Sequence, residues 1–96
     1  MDIAGLQAFV TIADSGSFSL AAGRLHLTQP AVSKRLAALE AELDTRLFDR
    51  LGRAVRLTEA GGVLLPRALR ILAELDDTRR ALRNLSGVVT GPLTLA

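Results

Sequence analysis

Apolar residues recur at helical spacing near the start of the chain, and this pattern predicts a first helix over residues 2–13. Gly16 suits the positive-φ exit of that helix, and Ser17 suits the capping of a second helix over residues 18–25. A tight turn, residues 26–28, then leads into a third helix. The pattern therefore predicts two short helices followed by a turn and a longer helix.

The third helix has a polar face near its N-terminus. Thr28 is a suitable cap, and Pro30 falls in the first turn, where its missing N–H has no partner to lose. Gln29, Ser33 and Lys34 lie away from an apolar stripe formed by Val32, Leu36, Leu39 and Leu43. A short helix, a turn and a longer helix with outward polar residues are how small proteins place a helix in the DNA major groove. The alternative is an ordinary amphipathic helix with a solvated face.

Residues 47–57 have the pattern of a two-stranded hairpin. Val55 and Leu57 alternate with outward neighbours, and Gly52 falls where a turn requires positive φ. Phe48 is predicted to lie beneath this wing. Two arginines near its tip suit phosphate contact or minor-groove insertion, although a solvated basic turn is the alternative: Arg50 and Arg53.

A fourth helix is predicted from Thr58, its cap, to about Leu85. Pro66 is expected to kink this helix or to mark a later start. Apolar residues follow a 3-4 pattern that a domain of this size cannot cover, so pairing with the same helix of a second chain is predicted. The seam residues are Leu65, Ala68, Leu72, Leu75 and Leu82. Because Arg79 interrupts the seam, packing within one chain remains the alternative.

The predicted organisation has three parts. Residues 1–58 form the DNA-binding part, residues 59–87 form the linker helix, and residues 88–96 change character. The last stretch resembles a linker that runs into a β-strand, which is expected to begin a further C-terminal domain.

The distribution of charge is more informative than the net charge of +2. Residues 15–39 contain three basic residues and no acidic one, and residues 45–57 contain four arginines and one aspartate. Segregated charge of this kind suits a polyanionic partner. The sequence has no cysteine and thus no thiolate chemistry, and neither a signal peptide nor a membrane span is recognisable, so a cytoplasmic, nucleoid-associated protein is predicted.

Several motifs occur together in a characteristic order. They are Ser17-Phe18, Ala21-Ala22, the run from Leu27 to Ser33, Leu39-Glu40, Leu47-Phe48-Asp49-Arg50 and the run from Leu57 to Gly61. Over essentially the whole chain this order resembles the LysR-type transcriptional regulators. The resemblance implies a mainly α fold, in which a winged helix-turn-helix of three helices and a two-stranded wing precedes a long dimerisation helix. It also implies a C-terminal domain that binds a small-molecule inducer; no cofactor is expected in this chain.

The resemblance also implies which residues meet double-stranded DNA. The wing arginine, Arg53, is expected to reach the minor groove, and the helix residues that face DNA are Thr28, Gln29, Pro30, Ala31, Ser33 and Lys34. Family members often carry Gln or Arg with Ile where this chain has Lys34-Arg35-Leu36, so the base preference is not carried over.

The chemistry of these side chains divides them into two roles. Gln29 suits readout of adenine and Lys34 suits readout of guanine, whereas Thr28, Ser33 and Arg50 suit phosphate contacts. A dimer, with a tetramer of the full-length protein left open, would then read an interrupted palindrome.

Three other functions explain the sequence less well than DNA binding does. A helical protein-interaction module explains the fourth helix but not the polar third helix beside an arginine-bearing hairpin. Double-stranded RNA is disfavoured because its narrow major groove does not admit a helix. An enzyme is least favoured, since His26 is the only histidine of the chain and the carboxylates of Glu40, Glu42 and Asp44 are interpreted as solvated helix surface.

Overall fold

The computed structural model describes the backbone of residues 1–51 and 54–90 and the side chains of residues 1–50 and 54–85. The elements follow in the order α1 (Ile3–Ser15), α2 (Phe18–Leu25), α3 (Gln29–Leu43), β1 (Phe48–Leu51), β2 (Ala54–Leu57) and α4 (Glu59–Thr90). Within these ranges the predicted mainly helical fold, with a two-stranded wing and a long last helix, is confirmed.

Short polar side chains begin the first three helices. The amide of Gly5 donates to Asp2 Oδ1 at 2.7 Å, and the amide of Leu20 donates to Ser17 Oγ at 3.1 Å. Thr28 Oγ1 likewise accepts from the third helix, one turn on. Each cap satisfies an amide that has no partner within its helix. The predicted caps Ser17 and Thr28 are therefore confirmed.

The three helices end on residues in the left-handed region. Gly16 has φ 73°, as predicted, whereas His26 and Asp44 adopt φ 55° and 53° although both carry a Cβ. At His26 this geometry reverses the chain, and the Leu27 amide donates to the Ala22 carbonyl at 2.9 Å. This bond closes the turn between α2 and α3 and satisfies a carbonyl at the end of α2.

The core lies where α1 contacts α2, α3 and α4. Its largest fully buried side chains are Phe9, Ile12, Val32 and Leu47. Val32, Leu36 and Leu39 of the predicted α3 stripe are buried, and Leu43 is half-buried against the same core. The apolar side of α3 therefore packs inward, and Gln29 and Lys34 remain exposed in its N-terminal half.

The wing is an antiparallel pair in which Phe48 faces Leu57 and Arg50 faces Val55. Phe48 is 3% exposed, so its predicted position beneath the wing is confirmed. Arg50 lies within β1, and its side chain folds back over α2 rather than projecting from the tip. The predicted turn at Gly52 and the arginine at position 53 lie outside the described residues.

Helix α4 begins after Thr58, whose Oγ1 accepts from the Gly61 amide at 3.0 Å. The helix is continuous through Pro66, so the prediction of a later start is wrong. The loss of one backbone hydrogen bond is tolerated because the turns on both sides supply the others. The backbone remains helical to Thr90, which corrects the linker predicted from Val88, since each added residue gains one bond. The strand predicted beyond it lies outside the described residues.

The predicted seam of α4 divides into two parts. Ala68 is fully buried, and Leu65 and Leu72 pack against the same core, so this part of the stripe is covered within the chain. The assignment of Ala68 to an interface with a second chain is wrong, because α1 and its neighbours already cover it. Leu75 is half-buried and Leu82 is 61% exposed, so the second part of the stripe has free surface.

Adjacent glycines of α4 provide a test of how this helix meets the wing. A Cβ on Gly61 would lie 2.3 Å from the Leu47 carbonyl oxygen, whereas a Cβ on Gly62 would meet nothing within 4 Å. The Leu47 carbonyl also accepts from the Thr58 amide at 3.0 Å, which restricts its movement. We expect Gly61→Ala to lower the free energy of unfolding by about 1–3 kcal/mol. The control Gly62→Ala should raise it by about 0.5–1 kcal/mol, because alanine is the better helix former.

Urea denaturation of both variants measures the difference. Equal stability of the two variants would contradict the close approach of α4 to Leu47.

Candidate nucleic-acid interface

The N-terminal end of α3 carries the residues predicted to meet DNA. Thr28, Gln29, Pro30 and Lys34 are exposed, and Ala31 and Ser33 are half-buried. All six lie in or immediately before the N-terminal half of α3. This end of a recognition helix is the one that points at base edges.

Thr28 combines a structural role with the capacity to bind. Its Oγ1 accepts from the Ala31 amide at 3.2 Å, which leaves the hydroxyl hydrogen to donate. The residue is exposed at the end of the turn that precedes α3. A hydroxyl in this position can donate to a phosphate oxygen without giving up its cap.

Arg50 extends the polar surface from α3 to the wing. Its Cζ lies 4.0 Å from the centroid of the Phe18 ring, within the range of a cation–π contact. A cleft of about 250 Å³ lies beside this contact. Its lining comes from the start of α2, the start of α3 and both strands, namely Ser17, Phe18, Ser19, Gln29, Arg50, Ala54 and Val55. Gln29 and Arg50, two of the predicted residues, are thus brought to one cleft.

A second cleft continues along α3 on the other side of Arg50. Ser33 of α3 and Arg46, which precedes β1, line it together with Arg50. Arg46 is exposed, and its Nη2 donates to the Phe48 carbonyl at 3.4 Å. The two clefts therefore form one continuous surface between α3 and the wing, with Arg50 in the middle.

Glu40 fixes the position of the wing relative to α3. Its Oε2 accepts from the Leu47 amide at 2.8 Å, and Thr58 Oγ1 donates to the Arg46 carbonyl at 2.6 Å. The segment that leads into β1 is therefore tied to α3 by Glu40 and to the start of α4 by Thr58. Glu40 was predicted to be solvated helix surface, which is wrong, because its carboxylate is half-buried and hydrogen-bonded.

Charge is distributed unevenly over this surface. Arg46 and Arg50 are exposed at the clefts, and Lys34 is exposed in the N-terminal half of α3. The carboxylate of Glu40 is engaged by a backbone amide. Asp49 lies across the hairpin from Arg56, where opposite charges on paired strands attract. The face is consequently net positive and suits the phosphates of a nucleic acid.

The structure places six of the eight predicted residues in or just before the first turns of α3, and it brings Gln29, Ser33 and Arg50 to the two clefts. Arg53 lies outside the described residues, so its role remains a prediction. Sequence reasoning missed Ser19, which is exposed and lines the same cleft as Gln29 and Arg50. Its only sequence signal is its place in the first turn of α2. Along the described residues, no helix has both the length and the apolar character that crossing a membrane requires.

An exposed recognition helix beside a packed two-stranded wing defines a winged helix-turn-helix module. Residues 3–62 match the protein family described as "bacterial regulatory helix-turn-helix protein, lysR family". The chain belongs to this family, and its class is that of DNA-binding regulators of transcription. The family resemblance drawn from the motifs is confirmed.

Individual relatives support the same assignment. The chain is 71% identical, over its full length, to an HTH-type transcriptional regulator in the ibpB-leuC intergenic region of Azotobacter vinelandii, and covers 67% of that protein. It is 39% identical over 99% of its length to the HTH-type transcriptional regulator YbhD of Escherichia coli, of which it spans 30%. The structure of a CbnR_DBD–DNA complex superposes with a TM-score of 0.83 at 35% identity, covering 90% of this chain and 99% of that one.

Replacement of Glu40 tests whether it supports the wing. Glu40→Ala leaves the buried Leu47 amide without its acceptor, so we expect the free energy of unfolding to fall by about 1–3 kcal/mol. Glu42→Ala is the matched control, because Glu42 is exposed on the same helix and contacts the chain's N-terminal amine instead. Thermal unfolding measures the stability of both variants. If Glu40→Ala lost no more stability than Glu42→Ala, support of the wing by Glu40 would be excluded.

Proposed function

We propose that this chain recognises specific sequences of double-stranded DNA by placing the N-terminal half of α3 in the major groove. The observation that carries the proposal is the exposure of Gln29 and Lys34 in the N-terminal half of α3, where Gln29 lines the same cleft as Arg50. The likeness to the CbnR_DBD–DNA complex, which covers nearly all of that domain, supports the same docking mode.

Two residues are proposed to read bases. The amide of Gln29 can pair with adenine N6 and N7, and the ammonium of Lys34 can donate to guanine O6 and N7. Both side chains are exposed: Gln29 begins α3 at its free N-terminal end, and Lys34 lies on the side opposite the buried Val32 and Leu36. Pro30 and Ala31 are proposed to approach the DNA as part of the same face.

Three other residues are proposed to hold phosphates. Thr28 and Ser33 flank the base-reading positions and carry hydroxyls, and Arg50 supplies a charge beside them. Such contacts set register and orientation without reading sequence. Arg53 is proposed to enter the minor groove and to respond to its width, which favours A·T-rich flanks.

A second copy of the chain is proposed to pair through a corrected stripe of α4. Beyond the part buried in its own core, the helix carries residues at 4-3-4-3 spacing, namely Ile71, Leu75, Thr78, Leu82 and Leu85. Four of these five are exposed, and the fifth, Leu75, is half-buried. The corrected stripe omits Arg79, which removes the interruption in the predicted seam. The 32 residues of α4 span about 48 Å, enough for a helix pair to separate two recognition helices.

Control by a small-molecule inducer is proposed for the whole protein rather than for this chain. The chain spans less than a third of YbhD, and the remaining length of such regulators would hold the inducer site. A cytoplasmic location and assembly beyond a dimer are proposed for the whole protein on the same basis, namely membership of the family.

Selection from a random duplex library at two salt concentrations tests the proposed function. A dimer that reads sequence should enrich an interrupted motif with two-fold symmetry, whose half-sites are about one helical turn or a multiple of it apart. Binding that depends strongly on salt but enriches no motif would reduce the chain to a basic surface. Absence of binding at both salt concentrations would favour the protein-interaction module.

Replacement of Lys34 should change the selected motif rather than abolish binding. We expect Lys34→Ala to lose discrimination at one or two base positions, by about five- to a hundredfold, because one specific base contact is removed. Arg24→Gln is the control: it removes the same charge on the far side of α2, where Arg24 pairs with Asp14. Repeating the selection with both variants measures the effect. A uniform loss at every position would contradict base reading by Lys34.

Placing a charge on the α4 stripe should weaken the dimer. Leu82→Glu puts a carboxylate into the proposed seam, and burying an unpaired carboxylate makes association less favourable by about 1.4 kcal/mol or more. We therefore expect a dissociation constant about tenfold or more higher. Ala73→Glu is the control, because Ala73 is exposed on the other side of α4. Sedimentation equilibrium measures both variants. An unchanged constant for Leu82→Glu would place the dimer interface elsewhere.

A further inference from the structure

Phe18 makes a contact that core packing alone does not require. It is the first residue of α2 and is 6% exposed. Its ring packs against that of Phe48, with the two centroids 6.3 Å apart and an interplanar angle of 69°. The guanidinium of Arg50 lies over its ring at 4.0 Å. Arg50 itself is exposed. A buried aromatic ring thus holds the end of a long, otherwise flexible cationic side chain.

We propose that Phe18 is a positioning residue for DNA binding, whose ring holds the Arg50 guanidinium between the starts of α2 and α3 to meet one phosphodiester of the DNA backbone. The inference rests on the proposed function and deepens it, because it explains how one of the proposed phosphate contacts is preorganised. It assigns Phe18 a role in affinity in addition to its role in the core.

The physical gain comes from the conformational entropy of Arg50. A free arginine side chain samples many rotamers, and part of this freedom is lost when it binds. Stacking on a ring restricts the side chain before DNA arrives, so less entropy is lost on binding. The contact uses the delocalised cation and leaves guanidinium N–H groups to donate to phosphate oxygens.

The ring also holds Arg50 between two clefts, both of which Phe18 and Arg50 line. On one side lies the cleft shared with Gln29, and on the other lies the cleft lined by Glu40. A free guanidinium is attracted to a nearby carboxylate. Among the described residues, Arg50 is in none of the ion pairs and instead rests on Phe18. The ring therefore keeps the charge on the surface that faces the proposed position of the DNA.

A double-mutant cycle on DNA affinity tests the proposal, with Phe18→Leu and Arg50→Gln measured singly and together on the selected duplex. We expect Phe18→Leu to weaken binding about two- to fivefold, the size of an exposed cation–π contact. In the Arg50→Gln background the same replacement should have no further effect, because the group it positions is gone. Arg50→Gln alone should lower the slope of log affinity against log salt by about 0.9.

Phe9→Leu is the matched control within the aromatic cluster. Phe9 is fully buried, with its ring centroid 5.3 Å from that of Phe48, and its replacement disturbs the core without removing the surface under Arg50. Any effect of Phe9→Leu on affinity should therefore be equal with and without Arg50. Phe18→Tyr, which retains a ring, should bind as the wild type does.

Nuclear magnetic resonance of the wild-type chain gives a measurement that no variant's folding can compromise. The side-chain protons of Arg50 should be shifted upfield by the Phe18 ring current. Chemical shifts without a ring-current effect would overturn the inference. So would a loss of DNA affinity on Phe18→Leu that is equal with and without Arg50, and so would an unchanged affinity. If the wild type bound no duplex, the proposed function would fail first, which the selection experiment reports separately.

Discussion

Burial of Phe48 is the constraint on which the arrangement of the binding surface depends. Its ring contacts those of Phe9 in α1 and Phe18 in α2, so the three phenylalanines of the chain converge from three elements. A two-stranded hairpin has little stability by itself, and this one gains a fixed place because its first residue is part of the helical core. The wing cannot rotate without exposing that ring to water. Arg50, two residues further along the strand, is consequently placed beside α3.

Hydrogen bonds also hold the wing in the position that the aromatic cluster sets. Glu40 binds the backbone at the entry to β1, and Thr58 binds the backbone just before it while also capping α4. The side chain of Thr58 therefore joins the end of the wing, the loop that precedes the wing and the long helix. Each such hydrogen bond adds modestly to the stability of the fold, but a buried group left without its partner lowers that stability by more. The geometry of the surface is thus maintained by residues that are not among the proposed DNA contacts.

Helix α4 has two environments along its length, and they separate two tasks. Its first turns are covered by the core through Leu65, Ala68 and Leu72, which makes the helix a rigid extension of the domain. Its later turns carry apolar residues that this chain leaves exposed, Leu82 and Leu85 among them. A partner that binds there would set the distance and angle between two recognition helices. The spacing of two half-sites on DNA would then follow from the length of one helix.

The sequence by itself determined the elements, because their causes are local. Helical periodicity, the caps Ser17 and Thr28 and the positive φ of Gly16 depend on neighbours a few residues away, and all agree with the structure. The ordered motifs were enough to indicate the family. Only the tertiary structure decided which apolar stripe of α4 is already covered, that Glu40 supports the wing, and that Arg50 rests on Phe18. These depend on residues far apart in the chain, whose distances are set by packing rather than by periodicity.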